Sequence, residues 1–132
     1  MKLLLDTQMI LWATFWPELL PTQALHLVAD DDNEIYFSPA SLWEVAIKGA
    51  QNRHDFQVDA KTLRSQLLES DYHEIAITGL HTTAVSDLPL HHKDPFDRLL
   101  LAQAKTEGIS LLTSDATLSM YSGPIILVRK SS

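Results

Sequence analysis

Hydrophobic and polar positions follow two different periods along the chain, and these periods predict its elements. Nearly continuous apolar runs predict five strands, at residues 2–6, 34–38, 73–78, 109–114 and 124–129. Between these runs, apolar residues recur at helical spacing. Buried strands that alternate with helices are typical of a parallel sheet covered on both faces. We therefore expect an α/β fold with a single-domain three-layer α/β/α architecture, in which residues 1–132 surround a central parallel sheet of about five strands.

Capping residues predict where the helices begin and end. Ser38 is a natural N-cap for "SPASLWEVAIKGAQ", with Pro39 at the first helical position. Asp94 and Pro95 have the same roles in the segment that starts "DPFDRLLLAQA", and Gly108 suits the left-handed residue after that helix. Four further helices are predicted in "TQMILWATFW", "TQALHLVADD", "AKTLRSQLLES" and "LHTTAVSDL".

The amino-acid composition limits the kinds of functional site that the chain can have. The chain has 45% hydrophobic and 20% charged residues, which is typical of a globular protein. It has no cysteine, and this excludes disulfides and thiolate zinc sites. The net charge of −7 argues against a broad basic surface for nucleic acid. A metal-filled acidic pocket with a few nearby cations can still bind phosphates.

The apolar runs also bear on localisation. The opening "MKLLL" is interrupted by Asp6 before it reaches the length of a signal-peptide core. No later run approaches the length of a bilayer span. We expect a cytoplasmic protein without a membrane segment.

Five carboxylates stand where a parallel sheet would bring them together. Asp6 follows the first predicted strand, Asp115 follows the fourth, and Glu44 lies in the helix after the second. Asp94 and Asp97 occupy the first turn of the helix before the fourth strand. Ligands of open parallel sheets bind beyond the carboxyl ends of the strands. We expect these acids to converge there.

Asp97 is the acid that most needs a partner. One turn further along its helix lie Leu100 and Leu101, so its carboxylate stands on an apolar flank. A buried charge must be hydrogen-bonded, protonated or metal-bound. Clustered carboxylates raise one another's pKa unless a cation lies among them, and oxygen ligands favour Mg²⁺ or Mn²⁺. Such a site indicates hydrolysis of phosphodiester bonds.

Structural roles compete with the metal-site role for each acid. Glu44 can form an exposed i,i+4 pair with Lys48. Asp6 and Asp115 can cap the helices that follow them, and for Asp94 capping is favoured over metal binding. The pair His91-His92 is interpreted as part of a polar loop, because adjacent histidines rarely share one site.

Four segments resemble, in order, the motifs of PIN-domain ribonucleases and in particular the VapC-type toxins: "LLLDTQMILW", "SPASLWEVAIK", "DPFDRLLLAQA" and "LLTSD". The resemblance extends over nearly the whole chain. It implies four metal-site acids and two auxiliary residues, the nearby acid or cap Asp94 and the hydroxyl residue Thr113, which would help to arrange the last acid. The four implied metal-site acids are Asp6, Glu44, Asp97 and Asp115.

The same resemblance implies the activity and the partners. It implies a Mg²⁺- or Mn²⁺-dependent endoribonuclease that leaves a 5′-phosphate and a 3′-hydroxyl, acts as the toxin of a toxin–antitoxin pair, forms a homodimer and is inhibited by a cognate antitoxin. Gln8 departs from the His that relatives often have two residues after the first acid, which removes an acid–base group there. Lys48 and Arg98 are candidate RNA-binding residues, whereas Lys93 is interpreted as a solvated surface charge.

Two other functions remain open. A phosphoacceptor receiver domain also has an acidic magnesium pocket on a doubly wound sheet, but it requires an Asp at the end of the third strand, where this chain has "IAITG". In a catalytically silent binding module, the acidic pocket would receive an Arg or Lys of a partner.

Overall fold

The computed structural model describes residues 1–50 and 58–129, and its centre is a five-stranded parallel sheet. In the sheet, the strands stand in the order β3-β2-β1-β4-β5. Gln51, the last residue of the predicted third helix, lies outside the described residues, as do residues 130–132 of the expected domain. The strands are β1 (Lys2–Leu5), β2 (Glu34–Phe37), β3 (His73–Glu74), β4 (Ser110–Thr113) and β5 (Ile125–Leu127).

In the part of the chain that the structure describes, six α-helices connect the strands, and each lies where helical periodicity predicts one. The longest, α6, begins at Pro95 after the N-cap Asp94 and ends before Gly108, whose φ of 69° is left-handed. Within the described residues, no helix combines the length and the apolar character that a membrane crossing requires. The helices are α1 (Thr7–Phe15), α2 (Thr22–Ala29), α3 (Pro39–Ala50), α4 (Ala60–Glu69), α5 (Gly79–Ala84) and α6 (Pro95–Glu107).

The central strand divides the core into two apolar layers. Leu3 and Leu5 point into one cluster, with residues of α1, α2 and α4. Leu4 points to the opposite face, into a cluster with residues of α5 and α6. This follows from the two-residue period of a strand, and all three leucines are fully buried. The predicted three-layer α/β/α fold is confirmed.

The strand order places a crevice at the carboxyl end of β1. From β1 the chain proceeds outward to β2 and β3, then crosses to the other side for β4 and β5. The order therefore reverses between β1 and β4, and open α/β sheets bind ligands at such a point. The amide of Asp6 donates to the carbonyl of Leu112 at 3.1 Å, which holds the two strand ends together there.

The third strand is shorter than predicted. It was expected to extend over residues 73–78, but only His73–Glu74 forms a strand. One further hydrogen bond to the neighbouring strand joins the Ile75 amide to the Phe37 carbonyl. Thr78 then caps α5: its hydroxyl accepts from the His81 amide, and the His81 ring accepts from the Thr78 amide. Because this capping box fixes the start of a helix at Thr78, the edge strand ends before it.

Arg98 holds the loop that leads into α6. Its Nη1 donates to the Pro89 carbonyl at 2.9 Å and to the Tyr121 hydroxyl at 3.0 Å, and its Nη2 donates to the carbonyls of Val85 and Leu88. The guanidinium therefore satisfies backbone groups rather than facing solvent. These contacts commit its donors to the loop, and its candidate role in RNA binding stays a prediction.

Replacing this arginine should destabilise the fold. We expect Arg98→Ala to lower the free energy of unfolding by about 2 kcal/mol, because partly buried carbonyls lose charge-assisted hydrogen bonds. Urea denaturation followed by circular dichroism measures the loss. Arg64→Ala is the matched control, since Arg64 pairs with Glu74 at the surface, where ion pairs contribute little. Equal losses in the two variants would contradict the role of Arg98.

Candidate active site

Five acids line one cleft at the carboxyl ends of β1 and β4. They come from four separate parts of the chain: the β1–α1 junction, α3, the start of α6, and the turn after β4. The cleft also includes Gln8 and Lys48. All four acids predicted for the metal site, and the auxiliary acid, are therefore together. The five acids are Asp6, Glu44, Asp94, Asp97 and Asp115.

Asp6 is held by hydrogen bonds at both oxygens. Its Oδ1 accepts from the Met9 amide at 2.9 Å, so it caps α1, and its Oδ2 accepts from the Thr113 hydroxyl at 2.6 Å. The Thr113 oxygen in turn accepts from the amide of Asp115 at 3.0 Å. Thr113 thus links the first acid to the backbone of the last one, and Asp6 both caps a helix and faces the cleft.

The first turn of α6 presents two acids with different roles. Asp94 Oδ1 accepts from the amides of Phe96 and Asp97, at 2.8 and 3.2 Å, so its predicted N-cap role is confirmed. Asp97 is in the first turn of the helix, one turn before the buried residues Leu100 and Leu101, and lines the cleft. The carboxylate of Asp97 is therefore partly buried.

Glu44 forms the predicted pair with Lys48, but inside the cleft. The distance from Lys48 Nζ to Glu44 Oε2 is 3.1 Å, and the Glu44 side chain is only 12% exposed. The pair is therefore not the solvated surface contact that the helical spacing alone suggested. Lys48 places a positive charge at the edge of an otherwise acidic cleft.

Burial and like charge make two of the acids hard to ionise. Burial is the main cause that raises the pKa of Asp6 to about 6, against the hydrogen bond from Thr113, and the neighbouring acids add to it. Burial also raises the pKa of Asp97 to about 7, and the negative charges of Asp94, Asp6 and Glu44 contribute. Both shifts follow from burial together with the negative charge of the neighbouring acids.

Asp115 behaves differently from these two acids. Burial raises the pKa of its carboxyl, but the hydrogen bonds from His92 and Thr117 outweigh that effect, and the pKa is below its usual range. Thr117 donates its amide to Oδ1 at 2.9 Å, and His92 Nε2 lies 2.8 Å from Oδ2. Asp115 is therefore an ionised member of the cluster near neutral pH.

These donors suit a hard divalent cation. The cleft provides carboxylate oxygens, which bind Mg²⁺ and Mn²⁺ in preference to softer metals. A cation among them would relieve the repulsion that raises the pKa of Asp6 and Asp97. The residues present therefore fit a metal site.

Sequence reasoning missed one residue of this site. His92 was interpreted as part of a polar loop, yet its Nε2 lies 2.8 Å from Asp115 Oδ2 and 3.2 Å from Asp97 Oδ2. His91 instead packs its ring against Tyr121, with centroids 4.9 Å apart. The sequence contained one indication of this role: His92 lies two residues before the N-cap of the helix that carries Asp97.

The family of the chain follows from its sequence as a whole. The profile of the PIN domain matches residues 3–123, which include every acid of the cleft. The chain belongs to the PIN domain family. No functionally curated protein matches this PIN domain by sequence.

Three solved structures share the fold of this PIN domain. VapBC2 from Rickettsia felis, bound to a DNA fragment from its promoter, has a TM-score of 0.69 at 19% identity, covering 99% of this chain and 100% of that one. VapBC-5 from Mycobacterium tuberculosis has a TM-score of 0.58 at 14% identity, covering 97% and 98%. A domain of a functionally unknown protein from Methanocaldococcus jannaschii has a TM-score of 0.60 at 16% identity, covering 99% and 93%.

The raised pKa values predict how stability depends on pH. A carboxyl whose pKa is higher in the folded protein than its unfolded value of about 3.9 binds protons preferentially in the folded state. Asp6 and Asp97, with folded values of about 6 and 7, therefore make the metal-free protein less stable as pH rises from about 4 to 7. Thermal unfolding in the presence of a chelator should show this fall.

A substitution that removes one of these charges tests the cause. Asp97→Asn should reduce the pH dependence of the melting temperature, because the amide does not titrate and places no negative charge beside Asp6. Asp59→Asn is the control: Asp59 is the exposed N-cap of α4, its pKa is lowered, and Asn is also a good N-cap. A slope between pH 5 and 7 that is unchanged in Asp97→Asn would refute the assignment.

Proposed function

We propose that this PIN domain is a divalent-metal-dependent endoribonuclease and acts as the VapC-type toxin of a toxin–antitoxin pair. The main support is the convergence of acids from four separate segments, two of them with raised pKa values, in one cleft at the carboxyl end of the sheet. The fold shared with two VapBC structures adds support for the toxin assignment. An acidic cleft of this kind needs a cation before it can accept a phosphodiester.

The acids of the site have different proposed roles. Asp6, Asp97 and Asp115 would hold Mg²⁺ or Mn²⁺ directly, and Glu44 would bind a second ion or orient water. When bound, the ion supplies charge neutralisation at the phosphoryl group and acidifies water. Thr113 keeps Asp6 in register with the backbone of Asp115 through its hydroxyl. Asp94 acts mainly as the cap that fixes the start of α6.

The proposed reaction is hydrolysis of an RNA phosphodiester. The oxygen of water bonds to phosphorus, the bond from phosphorus to the 3′ oxygen breaks, and a proton passes to that oxygen. The products are a 5′-phosphate and a 3′-hydroxyl. Gln8 lines the cleft but cannot donate or accept a proton in this reaction, so it would only hydrogen-bond the substrate or water.

Substrate RNA would approach along the side of the cleft that Lys48 borders. Lys48 and Glu44 are shared between the acidic cleft and an adjoining depression lined by Lys93, Pro95 and Phe96. We place Lys48 beside the path of the phosphates that flank the scissile bond, whereas Lys93 is an exposed charge at the edge of the depression. Local positive charge of this kind offsets the net charge of −7 of the chain.

The proposed partners are proteins as well as RNA. We infer a homodimer, a cognate antitoxin that covers the cleft, and a cytoplasmic location. The similarity to VapBC2 and VapBC-5, which are toxin–antitoxin proteins, supports the antitoxin. Exposed apolar side chains, including Trp43 at 61% and Leu90 at 74% exposure, provide surface for such contacts.

Removing a metal-site acid should abolish cleavage without unfolding the protein. We expect Asp97→Asn to reduce RNA cleavage by at least ~100-fold, because the cluster loses a charged ligand. Chelation should stop the wild-type enzyme, and added Mn²⁺ or Mg²⁺ should restore it. A 5′-labelled RNA of defined sequence, incubated with purified protein and analysed on a gel, measures the rate.

The same assay separates the ribonuclease from a catalytically silent binding module. Asp59→Asn should cleave like the wild type, since Asp59 caps α4 outside the cleft. Cleavage that persists in excess chelator, or full activity in Asp97→Asn, would exclude the metal-dependent mechanism. Metal-dependent cleavage that is lost in both Asp6→Asn and Asp97→Asn would exclude the silent module.

Lys48 should contribute to RNA binding rather than to the chemical step. We expect Lys48→Ala to raise the KM for RNA and to reduce the slope of log affinity against log salt by about 0.7, the value for one phosphate contact with a single strand. Lys2→Ala is the control, because Lys2 pairs with Glu34 at the opposite end of β1. An unchanged KM and salt slope in Lys48→Ala would contradict the proposed RNA path.

A further inference from the structure

His92 has no role in the proposed function so far, yet it contacts two of the proposed metal ligands. Among the residues that the structure describes, His92, Asp97 and Asp115 each offer a ligand-type atom, and these atoms lie within 4.8 Å of one another. A histidine beside two carboxylates can be a third metal ligand or a hydrogen-bond donor to them. The position of its single ring proton decides between these roles.

The hydrogen bond at the other ring nitrogen locates that proton. His92 Nδ1 accepts from the backbone amide of Asp94 at 3.1 Å, so Nδ1 carries no proton. The neutral imidazole therefore holds its proton on Nε2, which faces both Asp115 Oδ2 and Asp97 Oδ2. An Nε2 that carries a proton has no lone pair for a metal ion. In this arrangement His92 is a hydrogen-bond donor to Asp115 and not a metal ligand.

The backbone of His92 is also fixed on both sides. Its amide donates to the Tyr121 hydroxyl at 2.9 Å, and its carbonyl accepts from Arg98 Nη1 at 3.5 Å. Arg98 is the residue after Asp97, so one turn of α6 holds both an acid of the cleft and the loop that carries His92. The imidazole is therefore placed by the same helix whose carboxylate it contacts.

We infer that His92 is a positioning residue that sets the spacing of Asp97 and Asp115 for a divalent cation. Its Nε2–H donates a hydrogen bond to Asp115 Oδ2 and lies beside Asp97 Oδ2, 3.2 Å away. This inference rests on the proposed function, because it concerns the ligands assigned there. Two carboxylates this close repel each other, and the Nε2–H beside both of them offsets that repulsion before the ion arrives. Hydrogen bonds of this kind to metal ligands typically change metal affinity by about 10- to 100-fold.

Two substitutions separate the two hydrogen bonds of the ring. In His92→Asn the amide oxygen can replace Nδ1 as the acceptor for the Asp94 amide, but the side chain is too short to reach the carboxylates. In His92→Gln the amide nitrogen can replace Nε2 as the donor to Asp115 and stay beside Asp97, while the acceptor for the Asp94 amide is lost. The pair therefore distinguishes positioning of the acids from support of the loop.

The readout is Mn²⁺ binding, measured by the free-ion electron paramagnetic resonance signal, together with the melting temperature of the metal-free protein. We expect His92→Asn to raise the Kd for Mn²⁺ by at least ~10-fold and His92→Gln by less than about threefold. Glu107→Gln is the control, because Glu107 accepts a similar bond from the buried His81 at 2.7 Å outside the cleft. It should leave the Kd for Mn²⁺ unchanged.

Each outcome bears on one hypothesis. A wild-type Kd in His92→Asn would overturn the inference. Weaker Mn²⁺ binding in His92→Gln than in His92→Asn would also overturn it, because it would assign the effect to the hydrogen bond that supports the loop. A ¹⁴N coupling in the spin-echo spectrum of bound Mn²⁺ would make His92 a ligand and overturn it as well. Equal Mn²⁺ binding by the wild type and by Asp97→Asn would instead refute the proposed metal site.

Discussion

Repulsion among carboxylates that the fold forces together is the constraint on which the rest of this site depends. A parallel sheet brings the carboxyl ends of its strands to one edge, so Asp6 and Asp115 meet there although 109 positions separate them in the chain. The start of α6 adds Asp97 to the same place. Burial and like charge raise the pKa of Asp6 and Asp97 to about 6 and about 7. The folded protein therefore contains an electrostatic cost that a bound cation would remove.

Short hydrogen bonds to the carboxylate oxygens offset part of this electrostatic cost. Donors hold the carboxylates at defined oxygens: the Met9 amide and the Thr113 hydroxyl on Asp6, and the Thr117 amide and the His92 ring on Asp115. Two of these donors are backbone amides, of Met9 in the first turn of α1 and of Thr117 in the turn after β4. The acids are thus placed before any ligand binds, and preorganisation of this kind reduces the cost of binding an ion. The same bonds explain why acids in one cleft differ in pKa.

Elements whose signals are local were predicted well. The start of α3 at Pro39, the start of α6 at Pro95 and the left-handed Gly108 all follow from steric preferences within a few residues. Strand β3 was predicted too long, because the capping box at Thr78 competes with the apolar pattern of Ile75 and Ile77. Charged side chains were harder to place. The role of Arg98 depends on carbonyls that a loop brings to it, and helical spacing contains no information about them.

The sequence by itself determined the layered fold, the positions of the five strands and six helices, and the acids that stand at strand and helix ends. These properties depend on the period of hydrophobic residues and on capping, which act over one or two turns. The tertiary structure decided which polar groups share an environment. It turned Arg98 inward to the loop, placed the Glu44–Lys48 pair inside the cleft and brought His92 to Asp97 and Asp115. Electrostatic and hydrogen-bonding partners act over a few ångströms in space, and distance along the chain does not determine that separation.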